Sequence, residues 1–145
     1  MREVKCDIVI KAPPSRILRA FLEETDLKEW WGVARAFTEV SVGGLWTIAW
    51  NDSDQRFKYV SSGIIKELEL EKQLTISQLV YLNPEKPIMG PLQLEITVVP
   101  LNSTSTLLAV NQPGYKVGPD WDWYYESVLE GWPRALKLLK EHLEK

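Results

Sequence analysis

The last 26 residues of the chain carry a hydrophobic pattern with the period of an amphipathic helix. Between Asp120 and Lys145 the apolar side chains recur every three or four positions, and on a helical wheel they fall within about 100° of arc. They are Trp121, Tyr125, Val128, Trp132, Ala135, Leu136, Leu139 and Leu143. The pattern predicts a helix of roughly 37 Å with one face packed against a large partner.

Most of the preceding chain alternates apolar and polar residues with period two, as half-buried strands do. In residues 3–11, Val4, Cys6, Ile8 and Ile10 share one face. Further strands are predicted over residues 36–42, 45–50, 57–70, 74–80, 92–98 and 104–111, with Gly43-Gly44 as a tight turn and 112–119 as a loop. Alternation places Leu74, Ile76, Gln78 and Val80 on one face of their strand. The inward face of strand 57–70 stays open, because Gly63 suggests a bulge.

Two short helices are predicted between the first strand and the rest. Pro14 or Ser15 opens the first, and Asp26 with Glu29 fits a capping box for the second. Trp30-Trp31-Gly32 closes that second helix. The order of elements predicts an α+β fold: a curved antiparallel sheet of six or seven strands wraps around the C-terminal helix and leaves room for a pocket.

Composition narrows the class of protein. The chain has 145 residues, of which 45% are hydrophobic and 26% charged, so we expect one domain over residues 1–145. A net charge of -3 without a basic patch argues against a nucleic-acid partner. No apolar run is long enough for membrane insertion. Charged residues near the N-terminus, where a signal peptide is apolar, favour a cytoplasmic location.

The sequence offers little for catalysis. It has one cysteine, Cys6, and one histidine, His142, so no nucleophilic triad and no metal-ligand set can be assembled. We therefore predict no catalytic residue, no metal and no cofactor. Acid–base chemistry would need a carboxylate in the pocket; Glu95 is expected to point outward, and Glu67 is left undetermined.

Tryptophan is the strongest compositional signal, with seven in the chain. Large aromatic rings fill cores and also line pockets for apolar ligands. Trp30 and Trp31 are adjacent, so at most one is expected to be fully buried. The candidate ligand-binding residues are Trp30, Trp46, Ile48, Trp50, Tyr59, Gln78, Val80, Trp121, Tyr125 and Trp132. Whether the cavity is open or filled by its own indoles stays undecided.

Two aromatic residues are candidates for a partner surface. Trp123 lies on the polar side of the helical wheel, where it is either covered by the preceding loop or exposed. Tyr115 lies in that predicted loop. Together with the loop Pro84–Pro91, they would form an exposed apolar patch.

Several local patterns, taken in order, resemble a known superfamily. They are Ile10-Lys11-Ala12-Pro13, Leu27 with Trp30-Trp31, Gly43-Gly44-Leu45-Trp46, Gly63 with Glu67, and Gly131-Trp132. The chain resembles the START-like, or helix-grip, superfamily, and within it the homologues of the activator of the heat-shock-protein-ninety ATPase. The resemblance covers the whole chain and implies a helix-grip fold and a link to chaperones and the stress response.

Three functions follow as hypotheses. The first is a non-catalytic module that holds a small apolar or amphipathic ligand between the sheet and the last helix, with Tyr59, Gln78 or Tyr125 orienting it. The second is a protein-interaction module that regulates a chaperone ATPase or binds another protein. The third is a cyclase or hydrolase. A monomer and a homodimer are both compatible with the sequence.

Overall fold

A computed structural model describes residues 2–145 as an α+β helix-grip fold, as the sequence predicts. The strands form one seven-stranded antiparallel sheet in the order β1-β7-β6-β5-β4-β3-β2. Two short helices follow β1, and a long helix ends the chain. The elements are β1 Arg2–Ile10, α1 Pro14–Arg19, α2 Glu24–Trp31, β2 Arg35–Thr38, β3 Leu45–Asn51, β4 Phe57–Glu69, β5 Gln73–Leu82, β6 Met89–Pro100, β7 Thr106–Tyr115 and α3 Pro119–Leu143.

The core lies between the concave face of the sheet and helix α3. From α3 the buried residues are Tyr124, Trp132, Ala135, Leu136 and Leu139. Trp121 and Tyr125, expected on this face, are only half-buried. The first turns of α3 thus present Tyr124 to the core where the sequence predicts Tyr125. No helix among residues 2–145 is long and apolar enough to cross a membrane.

Strand β5 contains a bulge that changes which side chains face the core. Ile76 pairs with Leu94 and Leu79 with Leu92, so β5 has one residue more than β6 in this interval. Gln78 within it has φ 52°. The bulge reverses the alternation: Gln78 is exposed and Leu79 is buried. The prediction that Gln78 and Val80 face inward is therefore wrong.

Gly63 of β4 lies directly against this bulge. A Cβ atom at Gly63 would lie 2.6 Å from Ile76 Cγ2 and 2.9 Å from the Ser77 carbonyl oxygen. Gly63 and Ile65 are both buried, and Tyr59 lines the cavity described below. Tyr59, Ser61, Gly63 and Ile65 thus form the inward face of β4, which the sequence leaves undecided.

Strand β7 continues four residues beyond its predicted end, because β1 still pairs with it there. Its ladder with β6 ends at Asn111, whereas its ladder with β1 continues to Tyr115. Pro113 has no N–H to donate, but it lies where β7 has a hydrogen-bonded neighbour on one side only. Gly114 has φ 105° next to a register shift. Gln112, expected in a loop, is consequently a buried strand residue.

Two predicted turn features differ in detail. Helix α2 begins at Glu24, so Asp26 lies inside the helix and does not cap it, although Gly32 closes the helix with φ 69° as expected. Of Gly43 and Gly44, only Gly43 has positive φ. Strand β2 ends at Thr38, and a longer turn leads into β3.

Side chains from the helices cover parts of both sheet edges. At the edge strand β2, the Ala36 N–H donates to Glu24 Oε2 at 2.8 Å. Beside the edge strand β1, Lys140 Nζ donates to the Val9 carbonyl at 2.9 Å, and Glu144 accepts from the Lys11 N–H at 2.8 Å. Backbone groups that an edge strand leaves unpaired are thereby hydrogen-bonded to side chains.

Candidate functional site

An aromatic cavity of about 350 Å³ lies between the sheet and α3. Strands β3 to β7, the end of α2 and α3 from Trp123 to Ala135 supply its walls. The lining residues are Trp31, Trp46, Ile48, Trp50, Tyr59, Ser61, Leu79, Tyr81, Leu94, Gln112, Trp123, Tyr124, Ser127, Val128, Gly131, Trp132 and Ala135. The volume falls in the usual range of small-molecule sites, so the indoles leave the space between sheet and helix unfilled.

The cavity has a buried floor and a partly exposed rim. The floor consists of Trp46, Ile48, Leu79, Leu94, Gln112, Tyr124, Trp132 and Ala135, all of which are buried. The other lining residues are half-buried, except Ser127, which is exposed. A molecule in the cavity would therefore have one end away from water and the other near the surface.

The tryptophans of the cavity direct their polar atoms into the protein. Trp46 Nε1 donates to the Phe21 carbonyl at 2.8 Å, and Trp50 Nε1 donates to the Trp31 carbonyl at 3.1 Å. Trp132 Nε1 donates to Gln112 Oε1 at 3.1 Å. Because these donors are occupied, the three rings present apolar faces to the cavity.

Trp31 is the centre of an aromatic cluster at one side of the rim. Its ring stacks on Trp30 at 4.8 Å and lies 5.3 Å from Trp50 and 5.4 Å from Trp132. Trp30 is 3% exposed and donates to the Ala20 carbonyl at 2.9 Å. Of the adjacent pair, only Trp30 is fully buried, and Trp31 is the one that reaches the cavity.

Tyrosines form the facing wall. Tyr81 of β5 stacks on Tyr124 of α3 with ring centroids 5.1 Å apart, and Tyr115 packs against Tyr124 at 5.6 Å. Burial raises the pKa of Tyr124, and the neighbouring Tyr81 adds to that effect. Burial likewise raises the pKa of Tyr81. Both phenols therefore stay protonated and uncharged at neutral pH.

No charged side chain lines the cavity. Two lysines lie over rings of lining residues: Lys86 Nζ is 4.6 Å from the Trp123 ring and 3.6 Å from the Asp120 carboxylate. Lys58 Nζ is 5.5 Å from the Tyr59 ring and 3.2 Å from the Glu85 carboxylate. Lys86 lies in the β5–β6 loop, and its ion pair with Asp120 connects that loop to the beginning of α3. Trp123 is thus half covered by Lys86 on one side and borders the cavity on the other.

Five of the ten candidate ligand-binding residues line this cavity: Trp46, Ile48, Trp50, Tyr59 and Trp132. The other five lie elsewhere. Trp30 is behind Trp31, and the β5 bulge turns Gln78 and Val80 to the outer face. Trp121 and Tyr125 pack around Tyr115, with centroid distances of 6.3 Å and 5.3 Å.

The two candidates for a partner surface have different surroundings. Trp123 is half-buried at the cavity rim. Tyr115 is 2% exposed, because β7 continues through it and α3 covers it. Its expected place on an exposed patch is therefore wrong.

Three important cavity residues do not appear among the sequence candidates. Tyr124 could have been found from the spacing Trp121, Tyr124, Val128, which continues the helical face as well as Tyr125 does. Trp30 and Trp31 are adjacent, and the sequence does not distinguish which of the two rings reaches the cavity. Gln112 carries no sequence signal, because the adjacent Pro113-Gly114 indicates a loop.

The residues considered for chemistry lie outside the cavity. Glu95 accepts hydrogen bonds from Gln93 and Asn111, and Glu67 accepts one from Gln73; neither carboxylate lines the cavity. His142 Nε2 lies 2.8 Å from Asp26 Oδ1. Among residues 2–145, no group of three or more His, Cys, Asp or Glu side chains could hold a metal ion.

Fold and cavity together define a helix-grip protein with an aromatic space under its long helix. Comparison with protein-family models matches residues 11–144 to the family described as activator of Hsp90 ATPase homolog 1-like protein. The match spans most of the chain, and the chain belongs to this family. A comparison with curated proteins finds no match.

Solved structures support the same fold. The chain is similar to protein MLL2253 from Mesorhizobium loti, with TM-score 0.77 and 23% identity over 99% of this chain and 97% of that one. Protein CV1439 from Chromobacterium violaceum has a TM-score of 0.76 and 23% identity, with 100% of this chain and 99% of that chain covered. The Aha1 dimer from Colwellia psychrerythraea has a TM-score of 0.74 and 17% identity, with 99% of this chain and 97% of that chain covered. At these identities the likeness concerns the fold alone.

Proposed function

We propose that this protein is a non-catalytic binding module that holds a small apolar or amphipathic molecule between the sheet and α3. The observation that carries the proposal is the open aromatic cavity of about 350 Å³. Each Å² of apolar ligand surface removed from water would contribute about 25 cal/mol to affinity. A cavity wall of ring faces suits such a ligand.

The chemistry of the lining supports binding more than turnover. Its polar side chains are serine, tyrosine and glutamine, with neither a carboxylate nor a histidine among them. Glu67 and Glu95, the carboxylates considered for acid–base work, lie outside. A hydrolase or cyclase that depends on cavity carboxylates therefore has no residue to carry that step.

The direct test is native mass spectrometry of freshly purified protein, followed by a tryptophan fluorescence titration with fatty acids, sterols and flat aromatic molecules. Five of the seven tryptophans line the cavity, so a bound ligand should change their emission. Co-purified mass or saturable quenching at micromolar concentration is expected. If no mass co-purifies and no ligand class quenches the fluorescence, the proposal is contradicted.

Gly131→Leu is the matching cavity-filling variant. Gly131 lines the cavity, and a Cβ atom there would meet nothing within 4 Å. The added side chain should occupy ligand space and weaken binding at least tenfold. Because glycine in a helix interior costs about 1 kcal/mol relative to alanine, the variant should be as stable as the parent or more so.

Glu130→Leu is the control for this variant. Glu130 is exposed on the same helix turn and does not line the cavity. Its replacement adds the same side chain without filling ligand space, and affinity should stay within about twofold. If Gly131→Leu and the parent bind the ligand identified in the titration with equal affinity, the ligand does not bind in this cavity.

A second candidate function is interaction with a chaperone ATPase. Its support is the description of the family, together with the exposed apolar side chains Phe37, Val42 and Leu45, which are 59%, 66% and 49% exposed around the β2–β3 turn. The test is the ATPase rate of a purified Hsp90-type chaperone with and without this protein. An unchanged rate and no co-sedimentation would remove this candidate.

A further inference from the structure

The polar end of the cavity is built around Gln112. This residue lies on β7 and is 3% exposed. Trp132 Nε1, which can only donate, lies 3.1 Å from Gln112 Oε1. That contact fixes the orientation of the amide, since the oxygen must face the indole. The Nε2 group, with two N–H donors, therefore points away from Trp132.

Tyr124 is the second polar group at this end. Tyr124 lines the cavity together with Gln112 and is 6% exposed, and burial raises the pKa of its hydroxyl. The phenol therefore keeps its proton at neutral pH and can donate it. The buried end of the cavity thus provides two donors, one N–H and one O–H, for an acceptor atom of a ligand.

The remaining lining excludes charge. None of the seventeen lining residues is an Asp, Glu, Lys, Arg or His. Lys86 and Lys58, which lie over the rings of Trp123 and Tyr59, are already paired with Asp120 and Glu85. A carboxylate pushed to the cavity floor would lose its hydration without gaining a counter-ion.

From this arrangement we infer that the ligand is an uncharged, flat aromatic molecule carrying a carbonyl or similar acceptor oxygen, which Gln112 and Tyr124 bind at the buried end. The inference rests on the proposed function and specifies its ligand class. The ring faces of Trp46, Trp50 and Trp132 would enclose the aromatic part. The rim would hold the end that stays near water.

Three molecules of nearly the same shape test this inference by isothermal titration calorimetry at pH 7. 2-Acetylnaphthalene has a ketone oxygen, 2-isopropenylnaphthalene has a CH₂ group in its place, and 2-naphthoate has a charged carboxylate. One gained neutral hydrogen bond corresponds to about five- to tenfold in affinity. The ketone is expected to bind about five- to tenfold more tightly than the alkene and at least tenfold more tightly than the carboxylate.

Variants of the two donor residues then test whether they cause the tighter binding of the ketone. Gln112→Met and Tyr124→Phe each remove one donor, so the affinity ratio of ketone to alkene should fall toward one. The ratio is informative even if a variant binds both molecules more weakly, and Tyr124→Phe keeps the Trp132–Gln112 hydrogen bond. Ser103→Ala is the control, because it removes an exposed hydroxyl from the turn between β6 and β7, outside the cavity lining, and should leave the ratio unchanged.

The outcomes separate this inference from the proposed function. Equal binding of ketone and alkene, or tighter binding of naphthoate, would overturn the inference and leave a ligand-binding cavity. An unchanged ratio in both donor variants would do the same. Failure of all three molecules to bind overturns the inference, and failure of the wider fluorescence panel overturns the proposed function as well.

Discussion

Four tryptophans make hydrogen bonds that hold distant parts of the chain together. The acceptors of Trp30, Trp46 and Trp50 are carbonyl groups of Ala20, Phe21 and Trp31, all near the two short helices. Trp132 reaches across from α3 to Gln112 on β7. Each ring therefore contributes both buried apolar area and a specific polar contact, and truncation removes both.

Trp132→Ala is expected to lower the free energy of unfolding by about 3 to 5 kcal/mol, as large-to-small changes in a core do. Trp132 is 6% exposed, packs 5.4 Å from Trp31 and satisfies Gln112 Oε1. Urea unfolding monitored by circular dichroism measures the change.

Trp123→Ala is the matched control at the residue scale. Its ring is half-buried at the rim, so a smaller loss of about 1 to 2 kcal/mol is expected. Similar losses at both positions would show that Trp132 has no special place in the packing of α3.

At the scale of elements, the sequence predicts the order and type of every helix and strand but not where an element changes phase. Alternation along β5 is correct for Leu74 and Ile76 and wrong after them, because one inserted residue reverses the faces. The helical face of α3 is correct at Trp132 and beyond, and shifts to Tyr124 in the first turns. Such phase changes depend on packing with a neighbouring element, which a single sequence does not state.

Gly63 and the β5 bulge form one unit, so Gly63→Ala should be destabilising. The added methyl would lie 2.6 Å from Ile76 Cγ2 and 2.9 Å from the Ser77 carbonyl oxygen, and overpacking of this kind costs about 1 to 3 kcal/mol. Thermal or urea unfolding would measure the loss.

Gly131→Ala is the control for Gly63→Ala. It also adds one methyl, but into open space within a helix, and should raise stability by about 0.5 to 1 kcal/mol. If Gly63→Ala were neutral, the bulge would have to sit differently against β4.

At the scale of the whole molecule, an ionic cluster fastens the two ends of the chain together. Asp26 of α2 accepts two hydrogen bonds from Arg16 of α1, at 3.1 and 2.7 Å, and lies 2.8 Å from His142 at the end of α3. The sequence shows only that His142 lies near the end of the predicted C-terminal helix. Residues 116 positions apart could not be connected without the fold.

This cluster predicts a pH-dependent contribution to stability. Burial acts to raise the pKa of Asp26, but hydrogen bonds from Arg16 and His142 outweigh it and hold the pKa below its usual value. A lowered pKa in the folded state means that the carboxylate stabilises the fold fully above the unfolded-state value of about 3.9. That contribution is lost as the pH falls below this value.

Asp26→Asn should therefore lower the free energy of unfolding by about 1 to 3 kcal/mol at pH 7, and the difference from the parent should shrink at pH 3. Urea unfolding at both pH values measures it. Glu71→Gln, on the exposed turn between β4 and β5, is the control and should change stability by less than about 0.5 kcal/mol. A difference that stays constant between pH 7 and pH 3 would contradict a role for the Asp26 charge.

The covered sheet edges have a consequence for how copies of this protein can meet. A second molecule adding a strand along β2 would first have to displace Glu24 from the Ala36 N–H, and one approaching beside β1 would have to displace Lys140 from the Val9 carbonyl. Each displacement exchanges an existing hydrogen bond for a new one and gains little. Addition of a strand from a second copy is thus disfavoured at these two positions relative to contact through side chains.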